Sequence, residues 1–146
     1  MENLLRHGYG KGYTFSALVL LYPTLDYRNR FHIDHIHPRS KFSKRKLQQE
    51  SILDNDIDLC LENVDLLPNL QLLEGIPNQE KSDTAFADWL KRTCRTAEDR
   101  SSYMKRHFIP NVDLSFSNFT EFVKMRKALM KDELRRILLV NDGKVK

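Results

Sequence analysis

The chain has little cysteine and no long hydrophobic run. Cys60 and Cys94 form no CxxC pair, which excludes a disulfide framework and a cysteine-based zinc site. The longest apolar stretch, 17–22, is far too short to span a membrane. The first residues also lack the basic-then-apolar layout of a signal peptide. These absences predict a cytoplasmic protein with reduced thiols and no membrane partner.

Glycine is scarce as well, with 5 residues in the chain. Three of them lie in the segment 8–12 (GYGKG), which superficially suggests a phosphate-binding loop. No predicted strand precedes this segment, and no GK[ST] sequence closes it. The segment therefore does not by itself predict a nucleotide site.

The chain of 146 residues has the length of one domain, with 40% hydrophobic and 30% charged residues. Its net charge of +4 permits nucleic-acid binding without requiring it. Positions 28–49 concentrate the bases, whereas positions 50–65 carry acids and no base. Two interpretations of the basic segment stay open, a surface for a phosphate backbone and a solvated helix face. Its bases are Arg28, Arg30, Arg39, Lys41, Lys44, Arg45 and Lys46.

Hydrophobic periodicity predicts an α+β fold that is mostly helical. Phe31 and Ile33 alternate with His32 and Asp34, which indicates a strand at 30–36. The other predicted elements are helices at about 14–22 and 43–52, a mainly irregular acidic loop at 54–68, a strand at 70–73, a helix at 78–92 and a long helix at 117–139.

We expect a single domain over 1–146. Two short antiparallel strands and a helix would form its core at about 31–92. A helix at about 14–22 would precede this core, and a C-terminal helical part at about 98–140 would follow it.

Asp34 and His35 are adjacent and have complementary chemistry. A carboxylate is a hard oxygen ligand that suits Mg²⁺ or a similar ion. An imidazole accepts a proton from water near neutral pH. Neighbouring residues of a regular strand face opposite sides, so both reach one phosphate only if the strand breaks. Pro38 indicates such a break.

Three polar residues further along have an ordinary structural explanation beside a functional one. Asn78 offers an amide oxygen as a second ligand, but it follows Pro77 and would also be a typical helix N-cap. Lys81 could balance charge on a phosphate or be an exposed lysine. Asn69 could hold a turn through its side-chain amide.

A histidine cluster is the alternative metal site. His32, His35 and His37 could form a small zinc site, although strand alternation puts His32 on the opposite side from the other two. No cysteine lies nearby, and a zinc site would leave Asp34 and Asn78 without a role. We therefore favour the Asp34-centred interpretation.

The order of these residues resembles the HNH endonuclease motif of the ββα-metal superfamily. The matching segments are 33–40 (IDHIHPRS), 69–73 (NLQLL) and 78–83 (NQEKSD). The spacing from Asn69 to Asn78 and Lys81 is similar to that in the HNH domains of CRISPR effector nucleases. The long loop and helical surroundings look more like the HNH-type C-terminal domain of GmrSD-like restriction endonucleases. The motif match covers roughly 31–90.

The resemblance implies a role for each matching residue. Asp34 and Asn78 would bind one divalent cation, most readily Mg²⁺, with Mn²⁺ as a substitute. His35 would be the general base, Asn69 would tie down the loop that orients it, and Lys81 would lie near the phosphate or support the site. The implied reaction is hydrolysis of a DNA phosphodiester, as in a restriction or defence system. DNA would contact the basic segment, through His37, Arg39, Lys41, Lys44, Arg45 and Lys46.

Two departures from the family pattern carry expectations of their own. The turn at 74–77 has no CxxC pair, so we predict no structural zinc. The loop at 40–68 is long, and its acidic half could pack against another domain or a partner protein. GmrSD-like proteins carry a larger N-terminal domain, so this chain could be the C-terminal fragment of a longer protein.

Three functions remain open on the sequence. The first is the metal-dependent DNA endonuclease. The second is a non-catalytic nucleic-acid-binding or assembly module that keeps the HNH fold. The third is a domain of other function with a structural metal.

Overall fold

The computed structural model of the protein describes residues 1–142. Within them lie two strands and eight α-helices, so the prediction of a mostly helical α+β fold is confirmed. In chain order the elements are α1 (Glu2–Leu5), α2 (Thr14–Leu21), β1 (Phe31–His35), α3 (Lys44–Gln49), α4 (Asp54–Asn63), β2 (Leu70–Glu74), α5 (Gly75–Lys81), α6 (Phe86–Thr93), α7 (Ala97–Arg106) and α8 (Phe119–Asp142). No helix in this part of the chain combines the length and apolar composition needed to cross a membrane.

The two strands pair antiparallel, with Asp34 opposite Gln71 and His35 opposite Leu70. One face of the pair is apolar, because Ile33 and Leu72 lie opposite each other and pack into a hydrophobic cluster with α2 and α8. Side chains of successive strand residues alternate between faces, so Asp34 and Gln71 share the other face. The sheet thereby brings a carboxylate and an amide together.

A second hydrophobic cluster lies beyond the end of β1. It joins Ile36 to α3, α4, α6 and α8, with Leu47, Phe86 and Phe122 fully or almost fully buried. The long helix α8 contributes to both clusters and connects the sheet to the other helices. The chain between β1 and β2 therefore contributes residues to both hydrophobic clusters.

The acidic segment after α3 is more ordered than the sequence suggests. We predicted a mainly irregular loop at 54–68, but Asp54–Asn63 form a helix of ten residues. Asp54 and Asp56 lie in its first turn, where negative charge stabilises the helix dipole, and Ile57 and Cys60 are buried. The two buried residues of this otherwise polar segment pack it against the protein, and we attribute the helix to this packing and to the acids of its first turn.

The predicted helix at 78–92 is two helices. α5 begins directly after β2 at Gly75, and Pro77 is tolerated in its first turn because amides there have no partner within the helix. Ser82 has a φ of 41°, which a non-glycine residue rarely adopts, and it ends α5. Asn78 therefore lies inside α5, and its interpretation as a helix N-cap is wrong.

Candidate functional site

A cleft of about 480 Å³ opens where β1 ends and α5 passes beside it. Asp34 and His35 line it from the strand, and Asn78 lines it from the helix. Further lining residues come from other segments and from the end of α5, among them Tyr9, Arg39, Gln79, Ser82 and Asp83. The structure thus brings the predicted carboxylate, imidazole and amide to one cavity.

Asn69 holds the chain where β1 ends. Its side-chain amide donates to the carbonyls of His37 at 3.1 Å and Val64 at 2.9 Å, and its oxygen accepts from the amide of His37 at 3.0 Å. The amide of Ile36 donates to the Asn69 carbonyl at 2.8 Å, which extends the pairing one residue past β1. Asn69 is fully buried, so these bonds fix the backbone that carries His35. Asn69 therefore ties the segment after β1 to the segment before β2.

The carboxylate of Asp34 is buried and surrounded by donors. Its Oδ2 lies 3.0 Å from the ammonium of Lys81 and accepts from the amide of Gln71 at 2.8 Å. Lys81 also donates to the His35 carbonyl at 2.6 Å and is itself fully buried. The hydroxyl of Tyr103 donates to the Gln71 oxygen at 2.8 Å, which fixes the orientation of that amide. An ion pair and a chain of hydrogen bonds therefore hold Asp34.

Burial and charge shift the pKa values of Asp34 and Lys81 in opposite directions. Burial raises the pKa of the Asp34 carboxyl, and the nearby Lys81 ammonium opposes the rise. Burial lowers the pKa of Lys81, and the Asp34 carboxylate opposes that fall. The attraction between the two groups thus offsets part of the cost of burying them in a site from which water is largely excluded.

His35 has a carboxylate partner that the sequence did not reveal. Its Nε2 lies 2.8 Å from Oδ1 of Asp65, and the guanidinium of Arg39 lies 3.3 Å from the same oxygen. The ring of Tyr9 packs against the imidazole with a centroid distance of 4.6 Å. Asp65 belongs to the loop between α4 and β2, and no periodicity or motif distinguished it from the other acids there.

Asn78 and the second oxygen of Asp34 are the ligands that the motif implies, and Gln79, Ser82 and Asp83 also bring oxygen atoms to the cleft. Asp34 Oδ1 has one weak contact, at 3.4 Å from Lys81 Nζ. The Asn78 side chain makes no hydrogen bond within residues 1–142 and is half-buried. A carboxylate and an amide oxygen suit a hard cation such as Mg²⁺. The donor set therefore fits the ion that the motif implies.

A site built from several acids, histidines or cysteines is not found in the described chain, where no group of three or more such side chains could hold a metal ion. The three-histidine alternative also fails on geometry, because His37 points into the protein interior while His35 lines the cleft.

The prediction that His37 contacts nucleic acid is wrong. His37 is 1% exposed and lies among Phe86, Phe116, Phe119 and Phe122, with ring centroids 4.7–6.1 Å away. Burial lowers its pKa to about 3, so the ring is neutral, and its Nε2 has no hydrogen-bond partner in the described chain. His37 lies after the end of β1, where Asn69 holds its backbone through both its amide and its carbonyl, and its ring packs among the phenylalanines.

Of the predicted basic contacts, only Arg39 lines the cleft. Lys41 is half-buried, with its ammonium over the ring of Phe116 at 5.6 Å. Lys44, Arg45 and Lys46 are exposed on α3. The structure leaves these three accessible to a ligand but does not bring them into the cleft.

A buried arginine fixes the loop before β2. Arg126, which belongs to α8, is fully buried and donates to the carbonyls of Leu67, Pro68 and His107 at 2.9–3.2 Å. Burial lowers its pKa to about 10. Its bonds end one residue before Asn69, so α8 supports the same backbone that Asn69 ties to β1.

Comparison of the sequence with protein-family models and with curated proteins finds no match.

Proposed function

We propose that the chain is a metal-dependent endonuclease that hydrolyses DNA phosphodiester bonds by an HNH single-metal mechanism. The observation that carries the proposal is the cleft lined by Asp34, His35 and Asn78. Asp34 and His35 lie on β1, and Asn78 lies on α5, which directly follows β2, so the three elements run in the order β, β, α. An oxygen ligand pair beside an imidazole is what hydrolysis with one hard cation requires.

Asp34 and Asn78 would hold the cation, with Mg²⁺ preferred and Mn²⁺ as a substitute. When bound, such a cation polarises the phosphate and stabilises the charge of the transition state. Lys81 already neutralises Asp34 at 3.0 Å, and Asp83 is a further carboxylate that lines the cleft. A phosphate would add negative charge, so we expect the cation to bind more tightly when DNA occupies the cleft.

His35 would accept the proton of the attacking water, because its imidazole lines the cleft beside Asp34. Asn69 would serve by fixing the backbone directly after His35, at Ile36 and His37. Lys81 would act on Asp34 and on the His35 carbonyl, which it contacts at 2.6 Å, and not on the phosphate. These assignments divide the site into residues that meet the substrate and residues that hold them in place.

DNA would enter along the rim that Arg39 forms, with the exposed bases of α3 as further phosphate contacts. A role in a cytoplasmic restriction or defence system belongs to the same proposal, through the resemblance to GmrSD-like enzymes. A further domain or partner protein on the exposed acidic face of α4 is also part of it.

Plasmid nicking tests the proposal. The wild-type protein should nick supercoiled DNA with Mg²⁺ or Mn²⁺ and not with EDTA. His35→Ala should lower the rate by at least about 100-fold, because general bases contribute about that much. His32→Ala is the matched control, since His32 lies on the same strand but not in the cleft. Undiminished nicking by His35→Ala would refute the mechanism.

The ion pair of Asp34 with Lys81 favours a second function, since a buried ammonium already satisfies the carboxylate. In that case the chain is a nucleic-acid-binding or assembly module that keeps the HNH fold without catalysis. Salt-dependent DNA binding, with no cleavage under any divalent cation, would distinguish it from the endonuclease.

A further inference from the structure

Asp65 is in direct contact with the residue that the proposed mechanism uses as its base. Its Oδ1 lies 2.8 Å from Nε2 of His35, across a sequence separation of thirty residues. The guanidinium of Arg39 holds the same oxygen from a second direction at 3.3 Å. The carboxylate is therefore fixed between an imidazole and a cation.

The backbone of Asp65 is held independently of its side chain. The Tyr9 amide donates to the Asp65 carbonyl at 2.7 Å, and Gly8 forms a β-bridge with Leu66. Arg126 binds the next carbonyls of the loop, those of Leu67 and Pro68. Contacts from both ends of the chain thus place one loop residue beside His35.

A neutral imidazole carries its proton on one nitrogen and a lone pair on the other. A carboxylate beside Nε2 accepts a hydrogen bond from that nitrogen, which selects the tautomer with the proton on Nε2. Nδ1 is then the nitrogen that can accept a proton from water. The same contact also fixes the rotation of the ring, which Tyr9 restricts from its face at 4.6 Å.

We propose that Asp65 is the positioning residue of this site, which selects the tautomer of His35 and holds its ring toward the cleft. This inference rests on the proposed function, because His35 acts as a base only if the cleft hydrolyses phosphodiesters. Asp65 itself does not line the cleft and is not a ligand of the cation.

The test compares Asp65→Asn with Asp58→Asn. Both variants remove one negative charge, but Asp58 is exposed on α4 and has no hydrogen bond or ion pair to His35. Asp65→Asn should lower kcat for nicking by about 10- to 100-fold with KM for DNA nearly unchanged, as expected for a residue that orients another. Asp58→Asn should keep the wild-type kcat.

A second readout needs neither DNA nor metal. At about pH 8.5, where a free imidazole is neutral, nitrogen-15 NMR should show His35 of the wild type protonated on Nε2. Asp65→Asn should raise the population of the Nδ1-protonated tautomer, and Asp58→Asn should not.

An unchanged tautomer in Asp65→Asn would overturn the inference, and so would a changed tautomer with an unchanged kcat. If the wild type nicks no DNA under any divalent cation, the proposed function fails and the catalytic role of Asp65 fails with it. The tautomer measurement would then still decide whether Asp65 orients His35.

Discussion

The end of β1 separates two sides of the candidate site, which comprises the cleft and the residues packed behind it, and the two sides differ in burial. On the closed side, formed by Asp34, Lys81, Gln71 and Tyr103, the Asp34 side chain is 9% exposed and that of Lys81 is 0% exposed. On the open side, formed by His35, Asp65 and Arg39, the side chain of Asp65 is 36% exposed and that of Arg39 is 65% exposed. The His35 side chain is itself only 12% exposed, so the contrast lies in the partners, which are buried around Asp34 and more exposed around His35. We therefore expect Asp34 to contribute mainly to stability and His35 mainly to the proposed chemistry.

The largest expected effect is on the closed side. Lys81→Met leaves the buried Asp34 carboxylate without its counter-charge, so the free energy of unfolding should fall by about 3–5 kcal/mol. Urea denaturation measures this loss. Lys91→Met is the control, because Lys91 is exposed on α6.

The same variant probes the metal site. A divalent cation can replace the missing charge, so Mg²⁺ should raise the melting temperature of Lys81→Met more than that of the wild type. Two results would contradict the ion pair described for the closed side. One is a fall in the free energy of unfolding of Lys81→Met no larger than that of Lys91→Met, and the other is an equal response of Lys81→Met and the wild type to Mg²⁺.

A smaller loss of stability is expected for a substitution deeper on the closed side. Tyr103→Phe removes the hydroxyl that donates to Gln71 at 2.8 Å and leaves a buried amide oxygen unpaired. The free energy of unfolding should fall by about 1–2 kcal/mol in urea denaturation. Tyr13→Phe, at an exposed tyrosine, should change it little, and equal losses in the two variants would mean that the chain of hydrogen bonds is not stabilising.

Two buried histidines behind the closed side should make stability depend on pH. Burial lowers the pKa of His37 and of His107 to about 3 in the folded protein, from 6.5 in the unfolded chain. The unfolded chain therefore binds more protons between these values, so stability is full above pH 6.5 and falls as the pH decreases below it.

A variant without one of these histidines should resist acid better. His37→Leu, which also removes the unpaired Nε2, should reduce the loss between pH 6.5 and about pH 5.5 by about 1 kcal/mol. Urea denaturation at several pH values measures the slope. Equal slopes for the wild type and His37→Leu would show that His37 is protonated in the folded protein.

The smallest change in stability is expected on the open side. Arg39→Gln removes an exposed ion pair, so the free energy of unfolding should change by less than about 0.5 kcal/mol. DNA binding should weaken, and the slope of log affinity against log salt should decrease by about one. Fluorescence anisotropy measures both, with Lys124→Gln on α8 as the control. A large loss of stability in Arg39→Gln would remove the distinction between the two sides.

Much of this arrangement could be predicted from local sequence. The alternation around Ile33 gave the first strand, and the run of leucines after Asn69 gave the second. The strand register then places Asp34 opposite Gln71, a polar residue between leucines that could have marked the closed side. The alternation within each strand and the order of the motif residues are patterns among residues that are close in the sequence. They could therefore be predicted without the structure.

The remaining features depend on contacts between distant segments. Lys81 and Arg126 are fully buried because carbonyl and carboxylate groups from other elements surround them, and helical periodicity describes neither environment. In the sequence, nothing distinguishes Asp65 from the other acids of its segment. Its contact with His35 arises because N-terminal residues bind its loop in the folded protein. His37 looked like a ligand because its packing against phenylalanines of α6 and α8 cannot be read from strand alternation.

The most direct measurement is a crystal structure of the His35→Ala variant grown with Mn²⁺ and a short DNA duplex, with anomalous scattering used to locate manganese. The account predicts one manganese peak within bonding distance of Asp34 Oδ1, the Asn78 side-chain oxygen and a phosphate oxygen. Lys81 should remain paired with the other oxygen of Asp34. A cleft that holds DNA without manganese, with Asn78 turned away from Asp34, would contradict the account.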